Sequence, residues 1–394
     1  MIPVVVVNSS LNALGVVRSL APGRMPIYMV TTTRWCPAAW SRYCRVVRVS
    51  SLNGRALIDS LKELASRLGN KPVLILTGDV EVDAVSAYRE ELTALFRISL
   101  PSKEMVTLLA DKTLFQKYAE REGFPVPRSL VISDSSEVRW LETLRLPCVI
   151  KPGDKTLVLN GQVERAVRVD TLEHARFEVL RMLALAKRLV VQEWVDGADT
   201  EIYFTLFACD GDCKIIEMFS GRKLVCDPPA VGSTAICAAA PREAGQLSDL
   251  SHKFIARVGY KGIGSLEFKF NRRDGRFVII EPTVGRTDLQ EEIATLCGVN
   301  IPLSTYRAET GEPRQPISDA CETVAWRSSI EYRAPSGMLP TGSRIVDAHF
   351  RLTDPLPGLY YYGIELFRNF ARRGTRKFMR IPARSMAAAM QFFM

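Results

Sequence analysis

Residues 264–282, GSLEFKFNRRDGRFVIIEP, read as two strands around a turn. Apolar and polar side chains alternate over 266–270 and again over 277–281, the period of a strand with one buried face. Between them, 271–275 is rich in turn residues. A hairpin centred on Asp274 sets Phe268 against Ile280 and Phe270 against Val278 on an apolar face. Its other face sets Glu267 against Glu281. Directly opposed side chains lie ~4.5–5.5 Å apart at Cβ, where two carboxylates repel. Such a pair calls for a cation between them, and Mg2+ is the usual hard cation beside phosphates. A shift of register would send the acids to opposite faces and leave two independent surface glutamates.

Upstream, 148–151 is a short apolar strand ending at Lys151, and Pro152 fixes where that lysine emerges. A lysine there can reach a phosphate as a point charge, although a lysine that merely snorkels to the surface fits the same pattern. Asp111 caps a helix whose apolar face is Leu114, Phe115, Tyr118 and Ala119, with Gly123 as its stop. Beyond Pro125 and Pro127, strands are expected at 131–133, 148–151 and 189–192, with helices at 137–144 and 173–187. Further strands are expected at 201–208 and 214–219. A loop around Pro228, Pro229 and Gly232 follows, then helices at 244–258 and near 287–297. After that the patterning weakens.

The first hundred residues alternate strand and helix. Strands are expected at 4–7, 26–31, 46–49 and 73–76, with helices from Leu11, over 54–68, and from Asp79 through Leu95. That alternation implies a parallel sheet with helices on its faces. Ligands bind such sheets beyond the carboxyl ends of strands, which places 8–12 and 79–83 at a binding edge.

At 394 residues the chain is too long for one core and implies two to three domains. Hydrophobic residues at 47% and charged residues at 24% describe a globular protein. No apolar run approaches the ~20 residues of a membrane helix, and the start does not resemble a signal peptide, so a cytoplasmic address is expected. Nine scattered cysteines without a C-x-x-C pair suggest reduced thiols, and three histidines leave no histidine-rich metal site. Asp154 spoils a P-loop at 153–156, and Gly262 and Gly264 lack a third glycine for a dinucleotide fingerprint. The net charge is +9. From Tyr361 onward Arg368, Arg372, Arg373, Arg376, Lys377, Arg380 and Arg384 face one acid, Glu365. This basic tail, interleaved with phenylalanines, is either a solvated helix or a contact for an anionic membrane surface or a protein partner.

The order of these pieces resembles the ATP-grasp superfamily, specifically its carboxylate–amine ligase branch and the D-aspartate ligase-like group. The residues that carry the resemblance are Asp111-Lys112, 123–127, 146–152, 192–197, 220–223, 267–269 and Glu281-Pro282, with 41–44 and 77–79 upstream. It covers roughly residues 1–310. It implies an α/β chain: an N-terminal parallel, Rossmann-like pre-grasp domain (1–107), then an α+β ATP-grasp domain (108–310) with a lid subdomain at about 127–195. Residues 311–394 are then a C-terminal extension. The implied activity is ATP-dependent joining of a carboxylate to an amine through an acyl phosphate, with ADP and phosphate released. A nucleotide-binding scaffold with little turnover and an ATP-grasp kinase are the alternatives.

The implied roles follow the motifs. Lys112 and Lys151 would hold ATP phosphates. Glu193 and Val195 would hold adenine through backbone groups, with Gln192 near its exocyclic amine. Asp199, or alternatively Glu201, would meet the ribose. Lys223 would approach the γ-phosphate, and Arg286 would stabilise the acyl phosphate. Glu267, Glu281 and Thr283 would hold Mg2+, with Mn2+ as a substitute. Thr283 stands where the family usually has asparagine, with Asp288 as a compensating ligand. The loop 153–161 has fewer glycines than the usual phosphate lid. The resemblance implies small carboxylate and amine substrates, no nucleic acid, and leaves a homodimer open.

Overall fold

The computed structural model describes residues 1–153, 158, 161–313, 323–339 and 341–365. The basic residues 368–384 and most of the loop 153–161 lie outside them.

The first sheet is parallel, in the order β3-β2-β1-β4: Arg45–Arg48, Ile27–Thr31, Val4–Val7 and Val73–Leu76. Four consecutive valines make β1 fully buried, since a central parallel strand is covered on both faces. The helix Gly54–Leu68 packs Leu57, Ile58, Leu61, Leu64 and Ala65 inward, as its spacing requires. The helix expected from Asp79 to Leu95 is two pieces, Asp79–Ala87 and Arg89–Thr93, because Tyr88 leaves helical geometry at φ −113° and ψ 26°.

Chain direction brings the loops after β1 and β4 to one edge. There Thr77 donates its hydroxyl to the Val7 carbonyl at 2.7 Å. Buried Asn12 donates to the carbonyls of Thr77 at 2.9 Å and Thr287 at 2.8 Å. One asparagine thus ties two N-terminal loops to a segment 275 residues away.

A second sheet is antiparallel, β5-β8-β6-β7: Ser129–Ile132, Leu189–Glu193, Cys148–Pro152 and Val167–Val169. The helix Leu172–Leu183 and the segment Ser135–Thr143 cover it. That segment is a 3-10 helix with a capping box from Asp134 and Glu137 rather than the α-helix expected over 137–144.

The third sheet has seven strands, β13-β12-β9-β10-β11-β14-β15. These are Arg276–Val284, Gly262–Asn271, Ile202–Cys209, Ile215–Asp227, Ser233–Ala239, Val324–Arg327 and Arg344–Asp347. β10 runs eight residues beyond the expected end at 219, and β11 occupies what read as loop. The charged pair Arg222-Lys223 hid the extension, because a buried lysine is tolerated only with a partner that local sequence does not show. The segment expected as a C-terminal extension supplies two strands, with β14 pairing on β11 and β15 on β14. Arg18 fixes the following turn, donating to the carbonyls of Ala348 at 2.6 Å and His349 at 2.8 Å and to Asp354 at 3.0 Å.

Candidate active site

The β12–β13 hairpin pairs Glu267 directly with Glu281. The expected continuation of that register does not hold. A bulge follows Glu267, so Phe268 faces Ile279 and Phe270 faces Phe277 instead of Ile280 and Val278. The bulge inserts one residue on β13 at Ile280 and leaves the two acids in one row.

Each acid already has cations. Lys223 of β10 donates to Glu267 at 2.5 Å. Burial would lower the Lys223 pKa, but Glu267 overrides it and holds the ammonium above the usual lysine range. Glu281 accepts from Lys112 and, at 2.9 Å, from Arg165 of the second sheet's subdomain. Lys112 opens the helix Lys112–Arg121, whose cap Asp111 accepts from the amides of Thr113 at 2.8 Å and Leu114 at 3.0 Å. Lys151, on β6, donates to Gln192 at 3.1 Å. Burial, and then the neighbouring Lys112, push its pKa down to about 8.

Two neighbouring cavities meet at this cluster. A cavity of about 450 Å³ reaches from Glu267, Glu281 and Lys223 to the loops after β1 and β4. A narrower one lies against the second sheet and is lined by Lys151, Gln192, Glu193, Val195 and Lys269. Lys112, Arg165, Glu267 and Glu281 line both. Four cations, Lys112, Lys151, Arg165 and Lys223, stand around two carboxylates, a surplus that suits a polyanion.

Among the described residues no three His, Cys, Asp or Glu side chains form a metal-holding group. The facing glutamates nevertheless fit a hard divalent cation that takes its other ligands from phosphate and water. Thr283 lines the larger cavity and pairs across the hairpin with Ser265. Asp288 lines it as well and accepts from Ser265 at 3.0 Å.

Three expected residues have protein partners of their own. The Asp199 carboxylate accepts from the amides of Cys226 and Ala230, both at 2.8 Å, and Asp199 lines neither of these cavities. It therefore secures the β10–β11 turn. Its alternative, Glu201, is buried and paired with Arg272. Arg286 does line the larger cavity, but it forks onto Asp79 at 2.7 and 3.3 Å. Burial opposes its charge, while Asp79 and Asp288 hold its pKa above the ordinary value.

Sequence reasoning gave no role to Arg165 or Lys269. Lys269 donates to the carbonyls of Gly197 at 2.9 Å and Ala198 at 2.8 Å, pinning the crossing between the second and third sheets. Its place in the 267–269 motif was the available signal. Arg165 lay in a stretch without any pattern.

No family profile matches the chain. It is 22% identical over 314 residues to a D-aspartate ligase of Enterococcus faecium (strain Aus0004), covering 75% of this chain and 74% of that protein. The fold is similar to N5-carboxyaminoimidazole synthetase from Staphylococcus aureus, with TM-score 0.61 and 11% identity over 80% of this chain and 78% of that one. It is also similar to the biotin carboxylase domain of Hydrogenobacter thermophilus 2-oxoglutarate carboxylase, solved as a dimer with MgADP, ADP and bicarbonate. There the TM-score is 0.63 and the identity 14%, over 79% of this chain and 70% of that one.

Proposed function

We propose that this chain, whose fold is that of the ATP-grasp carboxylate–amine ligases, joins a carboxylate to an amine at the expense of ATP, releasing ADP and phosphate. The observation that carries the reading is the facing pair Glu267 and Glu281, each held by a lysine from a different element, where two cavities meet.

The narrower cavity takes the nucleotide. The base lies along the backbone of Glu193 and Val195 with Gln192 nearby, and Lys112 and Lys151 hold the phosphates. Lys269 and the backbone it pins replace Asp199 beside the ribose. Lys223 reaches the γ-phosphate from the floor of the larger cavity. When bound, Mg2+, or Mn2+ in its place, neutralises phosphate charge; Glu267 and Glu281 would hold it, with the Thr283 hydroxyl or Asp288 nearby.

The acid enters the larger cavity. One carboxylate oxygen attacks the γ-phosphorus, the bond to the β-phosphate oxygen breaks, and ADP leaves. The amine lone pair then attacks the acyl carbon, the C–O bond to phosphate breaks, and the amine loses a proton. Arg286 faces the charge that develops on the acyl group. Catalysis is mostly positioning and charge neutralisation, as in other phosphoryl transfers. D-aspartate, which names the Enterococcus faecium relative, is the first acid to test. A cytoplasmic address, where ATP is abundant, and a homodimer like the dimeric biotin carboxylase domain complete the reading.

The test is an ADP-release screen over small acids and amines with product masses. The reading expects ADP only when both substrates are present, and a product equal to acid plus amine less water. A phosphorylated product without amine would make the chain a kinase. Thermal stabilisation by nucleotide with no ADP from any pair would make it a scaffold.

A further inference from the structure

Away from the cavities, two segments distant in sequence form one outer face. Residues 34–48, RWCPAAWSRYCRVVR, hold four arginines and no acid. Arg34, Arg42, Arg45 and Arg48 are all exposed. So are Trp35, at 65%, and Trp40. The second segment is 350–364, which follows the edge strand β15.

Buried contacts fix the second segment against the first. Asp354, 1% exposed, accepts from the Ser41 hydroxyl and the Arg42 amide, both at 2.9 Å. Tyr43 donates to the Thr353 carbonyl at 3.2 Å. Trp40 stacks on Tyr360 with ring centres 5.5 Å apart. Tyr362 donates to Asp347 at 2.7 Å.

With those groups turned inward, the apolar side chains point out. The short helix Leu356–Tyr360 buries Pro357, Gly358 and Tyr360 and exposes Leu356 and Leu359, three residues apart on one face. A surface helix normally turns its apolar stripe to the core. Leu352, just before it, is 89% exposed, and Ile364, just after it, is exposed as well. In sequence the segment runs on into the basic residues of 368–384, which lie outside the described residues.

We propose that the face made by residues 34–48 and 350–364 docks on an anionic lipid surface. This goes beyond the ligase reading and does not depend on it. Projecting leucines enter the acyl boundary, tryptophans sit at headgroup level, and arginines meet lipid phosphates. No described helix is long and apolar enough to cross a membrane, so the contact is with the surface. A nucleic acid would use the arginines and leave the leucines in water. A second copy would set the same arginines against one another across a two-fold axis. The face lies beside the larger cavity's loops: Thr31, at the end of β2, donates to Ser9 at 2.7 Å in the loop after β1.

The experiment is co-sedimentation of the full chain with vesicles of equal parts phosphatidylglycerol and phosphatidylcholine, against phosphatidylcholine alone. Partition onto the anionic vesicles is expected to be stronger by about tenfold or more, since each arginine at the surface counts severalfold. Arg34→Gln with Arg42→Gln should weaken it about tenfold. Leu352→Ser with Leu356→Ser and Leu359→Ser should weaken it by about tenfold or more, with the thermal midpoint unchanged. Brominated lipid in the vesicles should quench tryptophan emission, and Trp35→Phe should remove much of that quenching; the tail after Tyr361 has no tryptophan. Equal partition onto both vesicle types, parent-like binding by the leucine variant, or unchanged quenching in Trp35→Phe would overturn the proposal. So would binding to duplex DNA, or a dimer that the leucine variant loses, with no binding to anionic vesicles. If the leucine variant melts early, Leu352→Ser alone replaces it and is expected to weaken partition severalfold; parent-like binding there would overturn the proposal equally.

Discussion

The two ends of the larger cavity carry acids in opposite circumstances. At the hairpin end, Glu267 and Glu281 are matched by Lys223, Lys112 and Arg165, and cations outnumber acids. At the other end acids outnumber cations, and Glu81 keeps an oxygen with no partner. The hairpin end is charged to receive a polyanion together with its cation. The far end lacks that surplus of positive charge. The two ends of one cavity therefore differ in the sign of their lining before any shape is considered.

If that contrast is sound, substitutions at the two ends should fail differently. The largest effect is expected at the hairpin. Glu281→Ala removes a proposed metal ligand and takes the carboxylate away from Lys112 and Arg165; ADP release should fall about 100- to 1,000-fold, the scale of losing one preorganised electrostatic group. Steady-state kinetics at saturating acid would show it, and a variant within threefold of the parent would break the comparison. At the far end, Gly78→Ala should be milder. Its Cβ would displace the Glu81 carboxylate, so the KM for the acid should rise about tenfold while the nucleotide dissociation constant stays the same. An equal loss in both constants would mean the loop shapes the whole cavity rather than one end.

The smallest effect is a proton. Lys151 has its pKa pushed down to about 8, by burial first and Lys112 second. As pH rises from about 8 toward the ordinary lysine value of 10.5, Lys151 without a bound phosphate therefore gives up its proton. A bound phosphate favours the ammonium and raises that pKa again. Nucleotide binding at pH 8.5–9 should therefore take up a fraction of a proton, and affinity should weaken as pH climbs past 8. Titration calorimetry in buffers of different ionisation enthalpy measures the uptake. Lys151→Met should abolish it, and uptake of the same size in that variant would assign the proton elsewhere.

Much of this was legible in the sequence, and the rest was hidden for identifiable reasons. β1 and β4, and the helices Gly54–Leu68 and Ala244–Val258, fall at the expected bounds because their own side chains decide them. The facing glutamates were legible because a hairpin is a local object, although its bulge after Glu267 was not. What stayed hidden depends on distant partners. Lys223 extends a strand only because Glu267 neutralises it. Asp199 is spent on the amides of Cys226 and Ala230. β14 and β15 are short strands at one end of the sheet that need β11 as a template. Glu81 becomes unusual only when Asn8 and Gly78 close around it.

The central claim is that Glu267 and Glu281 hold a divalent cation against the phosphates. Its most direct test is the affinity for ADP, measured by calorimetry with and without Mg2+, in the parent and in Glu267→Ala and Glu281→Ala. The account predicts that Mg2+ tightens ADP binding in the parent at least tenfold and that each variant loses that gain while still binding ADP through the lysines. Equal Mg2+ dependence in all three proteins would contradict it.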